Sequence, residues 1–234
     1  MKRWLWILVA AGLLWTGQSV DAAVTAPLQT AFHATTARPT GFALSGWVQM
    51  KDNVSAAQLP TLLTALAQKA HVQGALQKHH ALHFTQWVIQ QNISGFHTTL
   101  MAEKLGSGHA FLVFSRTGQQ QFSGLKESVQ VMQKMLASYG TVHFDTTLTG
   151  SLRGSQSPKD VAQAALTALG ATVQFTQKRS HFELVSALSP LISTQDLFNG
   201  HKINVQIVVM PGPKGSQIVD IGSPLMIATA TPAD

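Results

Sequence analysis

The 234-residue chain contains no cysteine. That excludes disulfides and attachment of lipid through an N-terminal cysteine, so a fold exposed outside the cell must rest on its core alone. Charge is scarce as well: 11% of residues are charged, 16 basic against 10 acidic, and no run of lysines or arginines occurs. Such a chain is basic without being polybasic, whereas nucleic-acid-binding proteins concentrate cations in a stripe. Catalytic signatures are missing too. There is no GxSxG elbow and no HExxH, and no arrangement of paired carboxylates stands out. Gly106–Ser107–Gly108 lacks the lysine and the following helix of a phosphate loop. These absences argue against an enzyme and against a cofactor.

No apolar run is long enough to cross a bilayer comfortably as a helix, which takes roughly 20 residues. Trp4–Trp15 is uncharged and apolar, follows the positive start Met1–Lys2–Arg3, and gives way to Thr16–Ser19. This is the pattern of a secretory signal. Val20 and Ala22 place small residues at the cleavage positions, with Ala22 as the first choice and Ala23 the second. Residues 1–23 are therefore expected to be a signal peptide; an uncleaved Met1–Ala23 segment would instead serve as a membrane tether. The rest carries 14 basic and nine acidic residues, or +5, and is expected outside the cytoplasm, secreted or held at the cell envelope. Ten histidines protonate below about pH 6, which suits an acidic exterior.

What remains is patterned for α+β structure. Residues 24–40 read as a linker or a short helix around Leu28–Phe32. Gly41–Met50 alternates Phe42, Leu44 and Val48 against Ser45 and Gln49, a strand. Ser55 can cap a helix carrying Leu59, Leu62, Leu63, Leu66 and Ala70, with Pro60 moving its start later. Strands follow at Phe84–Gln91, Gly95–Glu103 and His109–Ser115, then a helix over Gly124–Tyr139. The order repeats: a strand at Thr141–Leu152, a helix opened by Ser157–Pro158–Lys159–Asp160 and ended at Gly170, and strands at Ala171–Lys178 and His181–Ser186. A short helical piece is expected near Pro190–Phe198, closed by Asn199–Gly200. Strands at Lys202–Met210, Ser216–Ile221 and Pro224–Ala228 complete the chain, with residues 230–234 a tail. Consecutive strands imply antiparallel hairpins. Two halves, 41–140 and 141–229, are expected to form one curved antiparallel sheet with helices packed on one face.

The C-terminal strands are the most specific part. His201–Lys202–Ile203–Asn204–Val205–Gln206–Ile207, a glycine-bearing turn, and Ile221–Gly222–Ser223–Pro224 resemble the end of the YwmB family of exported proteins from spore-forming Gram-positive bacteria. Lys202, Asn204, Gln206, Gly222 and Pro224 carry the match, with weaker support from Thr25–Ala26–Pro27–Leu28. The resemblance implies a fold similar to the TATA-binding protein, two pseudo-repeated halves making a saddle-shaped sheet. It implies a role in wall remodelling or sporulation by association, and supplies no catalytic or binding residues.

Lys202, Asn204, Gln206, Gln174 and Lys178 form the candidate binding face, read as the outward stripes of two strands. They bring hydrogen-bonding groups but few cations to neutralise phosphates, which dominate DNA affinity, and export argues further against DNA. Trp47, Trp87, Phe96 and His97 are strand residues at which an outward aromatic could stack on a ligand. His79 and His83 have a spacing that binds a divalent ion on a helix, but no carboxylate accompanies them and the segment reads as a loop, so no metal site is assigned. The reading is thus a non-enzymatic extracytoplasmic binding module whose partner is an envelope protein or wall polymer. Nucleic-acid binding by fold analogy and an envelope hydrolase are the alternatives.

Overall fold

A computed structural model of the chain describes residues 24–50, 54–119, 121–179 and 182–224. The expected signal peptide and the strand beyond Pro224 lie outside these residues. Among them, four helices and twelve strands form an α+β fold. The first part runs α1 (Thr25–Ala34), β1 (Arg38–Gln49), α2 (Leu59–Lys69), β2 (Gln77–Ala81), β3 (Phe84–Ile93), β4 (Phe96–Leu105), β5 (Ala110–Gly118). The second runs α3 (Leu125–Leu136), β6 (His143–Leu152), α4 (Pro158–Ala168), β7 (Thr172–Arg179), β8 (Phe182–Leu188), β9 (Asp196–Phe198), β10 (His201–Ile203), β11 (Val205–Pro211), β12 (Gln217–Ser223). Ten strands make one antiparallel sheet in the order β2-β3-β4-β5-β1-β6-β12-β11-β8-β7, and β9 pairs with β10 separately. The two parts meet at the central pair β1–β6, where Ser45 lies opposite Asp145.

Local chemistry accounts for the helix boundaries. Ser157 Oγ accepts from the Asp160 backbone N–H at 3.1 Å, and Pro158 starts α4 where its missing donor costs nothing. Pro60 is the second residue of α2, still in the first turn where its missing donor is tolerated, so that helix begins at Leu59, while Ser55 donates from N and Oγ to Gln58 Oε1. The helices share one core with one face of the sheet. Leu28, Phe32, Leu63, Leu66, Met132, Val161 and Leu166 are buried with Phe42, Leu44, Val48, Leu100, Leu112, Phe114, Val185 and Ile207. Packing is close there: a methyl group on Gly150 would run into the Phe32 ring and lie 2.6 Å from the Arg38 carbonyl oxygen.

Four expectations need correction. Residues 190–198 do not form a helical piece; Asp196–Phe198 is a strand paired with His201–Ile203. Asn199 and Gly200 take φ of 50° and 79°, the two left-handed residues of a tight hairpin turn, so Asn-Gly turns the chain back instead of closing a helix. The strand Lys202–Met210 is broken at Asn204 into β10 and β11. β2 falls where a loop is expected, since Gln77–Lys78–His79–His80 is a polar edge strand without an alternating apolar face. Because His79 lies in that strand, it and His83 do not share a helical turn. The segment 24–40 resolves as the helix alternative, and β1 starts three residues early, at Arg38.

Candidate functional site

The expected binding face does not form. Asn204 is fully buried (0% exposed). Its Oδ1 accepts from the Ser189 N–H at 2.7 Å, and its Nδ2 donates to the Ser189 and Ile192 carbonyls at 2.8 and 2.6 Å. An amide with three buried partners pins the 189–192 loop to the β10–β11 break and offers nothing to a ligand. Gln206 is 5% exposed and donates to Ser186 Oγ at 3.1 Å. Lys202 is exposed but sits on the separate β9–β10 hairpin. Gln174 falls at the register shift in β7 between Val173 and Phe175. Lys178 pairs with Glu183, its Nζ 3.7 Å from Oε2, in line with Val185 and so on the helix side of the sheet. Outward alternation along single strands did not predict this, because burial follows from what packs across strands.

Of the aromatic candidates, Trp87 and Phe96 face the helices. Trp87 is part of the main core, with Lys78 Nζ 5.8 Å above its ring, and Phe96 lies beneath the Arg116 guanidinium. Trp87 also floors an edge cleft of about 470 Å³ with Lys78, His80 and Pro60. His97 and Trp47 point to the opposite face. There His97 Nδ1 meets Asn92 Oδ1 at 2.5 Å and Nε2 meets Thr99 Oγ1 at 3.2 Å.

Strand register shows what that second face carries. One row crosses five strands: Val88, Met101, Val113, Trp47 and His143 are directly paired in turn. Val88, Met101 and Val113 are buried and pack with half-buried Trp47 as a cluster separate from the main core. Trp47 stacks on the His143 ring with centroids 4.3 Å apart at 21°. The next row, about 7 Å along the strands, is Gln90, Thr99, Ser115, Ser45 and Asp145. A third contains Ala43, Thr147, Gly222, Gln206 and Ser186, and a fourth Thr149, Asp220, Val208 and Leu184. An apolar stripe thus lies beside rows of hydroxyls and amides, a pattern invisible along any single strand.

The charged groups set into this face away from its rim are carboxyls. Burial pushes the Asp220 carboxyl up from its ordinary value, partly offset by a hydrogen bond from Thr149. Glu103 is raised in the same way, with Gln86 Nε2 donating to its Oε2 at 3.1 Å. Burial lowers His143. Burial shifts all three groups toward their neutral forms.

No protein-family model matches the chain, and comparison with curated proteins finds no match. Among solved structures, it is similar to DynU16, a putative protein in the dynemicin biosynthetic locus, at 11% identity and a TM-score of 0.22, covering 77% of this chain and 86% of that one. It is also similar to the di-domain ARO/CYC StfQ from the steffimycin biosynthetic pathway, at 6% identity and a TM-score of 0.19, covering 76% and 83%.

Proposed function

We propose that the protein is a non-enzymatic extracytoplasmic binding module that holds a neutral polymer of the cell wall against the sheet face opposite the described helices. One observation carries the reading: the row Val88–Met101–Val113–Trp47–His143 runs in register beside Gln90–Thr99–Ser115–Ser45–Asp145. An apolar, aromatic stripe beside a row of one amide and three hydroxyls that ends at a carboxyl suits a ligand with alternating apolar and hydroxyl surfaces. None of the residues in these two rows is a lysine or arginine that could neutralise phosphates, which speaks against DNA.

The resemblance to the YwmB family is part of the same proposal, as is a TATA-binding-protein-like duplication. Its support is the strand order: outward from the centre, β1-β5-β4-β3-β2 on one side mirrors β6-β12-β11-β8-β7 on the other. Each half also has a helix after its central strand.

Cosedimentation with purified insoluble wall tests the function. Replacing Gln90, Ser45 and Ser115 together by alanine removes three partly exposed or exposed polar groups without emptying the core. It should weaken wall binding on the order of tenfold or more, as loss of two to three net hydrogen bonds requires, with the urea midpoint retained. Equal cosedimentation of the triple variant overturns the reading.

A further inference from the structure

The outer edge of β2 carries backbone groups that the sheet does not use. β2 ends the ten-strand sheet, and among the described residues no strand pairs with its outer side. The register says which groups are left over. The turn Leu82–His83 closes on Ala81 opposite Phe84, and antiparallel pairs alternate between bonded and unbonded. Ala81, His79 and Gln77 therefore bond to β3, while Lys78 and His80 aim their N–H and C=O groups outward. The left-handed turn Ser94–Gly95, closing on Ile93 opposite Phe96, sets the same alternation from the other end of β3. The side chains of Lys78 and His80 lie on the helix side, beside Trp87 and Thr85 directly across. Lys78 Nζ sits 5.8 Å from the centre of the Trp87 ring, within cation–π range. His80 Nδ1 lies 2.8 Å from Thr85 Oγ1; with that hydroxyl donating, Nε2 carries the proton and is left to donate. The cleft of about 470 Å³ beside them is walled by Ala56, Ala57 and Pro60 and holds no acid among the described residues. Lys78 and His80 are both exposed, so a partner can reach them.

We propose that the β2 edge takes an extended acidic peptide of a partner protein as an added antiparallel strand. Two residues of the peptide, two positions apart, stand directly opposite Lys78 and His80 and exchange both N–H···O bonds with each. Their side chains fall on the helix side, over the cleft. Glutamates there meet the Lys78 ammonium and the His80 Nε2–H, with their methylene stems against Ala56, Ala57 and Pro60. The residue between them faces the other way, beside His79. A second copy of β2 is a poor occupant, because it sets lysine and imidazole donors against each other, and charged side chains are a common guard against such self-pairing. A glycan lacks the alternating donors and acceptors, about 7 Å apart, that the outward groups call for. The proposal does not rest on the wall-binding reading, since the cleft and the wall-binding row lie on opposite faces of the sheet.

Fluorescence anisotropy of the full chain with dye-labelled, end-blocked peptides tests this. Thr-Thr-Glu-Thr-Glu-Thr-Thr should bind roughly fivefold tighter than Thr-Thr-Glu-Glu-Thr-Thr-Thr, which has the same composition but turns one glutamate away from the cleft. Methylating the backbone nitrogens of both glutamates should abolish binding. Methylating the threonine nitrogen between them, whose N–H points away from β2, should not. Lys78→Glu should reverse the preference, so that Thr-Thr-Lys-Thr-Lys-Thr-Thr binds better than the alternating glutamate peptide. Misfolding cannot produce such a reversal. Equal affinity for the two glutamate orders, binding that survives methylation of both glutamates, an unchanged preference in Lys78→Glu, or no binding of the alternating peptide overturns the edge assignment.

Discussion

Replacing Asn204 by alanine separates a structural amide from a ligand-binding one. The native side chain makes three hydrogen bonds, all to backbone groups of Ser189 and Ile192, and is wholly inaccessible. Alanine leaves one N–H and two carbonyls buried without these partners and opens a small void. At about 1 kcal/mol net per bond the loss is roughly 3 kcal/mol, with more if no water enters to replace the amide. For a domain of this size each kcal/mol moves the midpoint about 2–4 °C, so the variant should melt about 6–12 °C lower. Urea denaturation should give a reduced midpoint with an unchanged slope, because the same surface is exposed on unfolding. Wall binding by the fraction still folded should equal that of the native chain. A destabilisation under about 1 kcal/mol, or normal stability with lost binding, would refute the structural assignment of Asn204.

Two further outcomes follow from the core and the buried acids. Gly150→Ala should destabilise by about 1–3 kcal/mol through overpacking against Phe32 and the Arg38 carbonyl; a thermal midpoint equal to that of the native chain would contradict the close packing of α1 on β6. The raised carboxyl of Asp220 favours the folded state fully below its unfolded value near 3.9, and that contribution is lost as pH rises through the folded value. His143, lowered by burial, has the opposite sign: its contribution is present above about 6.5 and lost as pH falls through its folded value. Asp220→Asn should therefore flatten the decline in urea midpoint above about pH 4 while leaving the His143 limb near neutral pH in place. Parallel slopes for the two proteins would refute the assignment.

Fold class was legible in the sequence because each element carries its own period and boundary signals. Leu125, Val129, Met132 and Leu136 mark α3 by spacing alone, and Ser157–Pro158 with Asp160 marks the start of α4 through cap chemistry that needs no distant contact. Runs of strands joined by short turns implied an antiparallel sheet before any pairing was known. The candidate site was not legible in the same way. Lys202, Asn204 and Gln206 share a parity along the chain, yet one sits on an exposed hairpin, one is buried at a strand break and one is closed in by Ser186. Asn199–Gly200 suits a helix stop as well as a hairpin turn, because the residue pair alone does not say which structure precedes it.

Local patterning determined the helices, most of the strands and the α+β class, since spacing and capping act over a few residues. The cross-strand rows are another matter. Trp47 meets Val113 and His143, and Thr147 meets Gly222, across 66, 96 and 75 residues of chain respectively, through pairings whose register arises when the whole sheet assembles. Only the tertiary structure decided which hydroxyls, amides and carboxyls share a surface, because hydrogen-bonded strands place as neighbours residues that no sequence period connects.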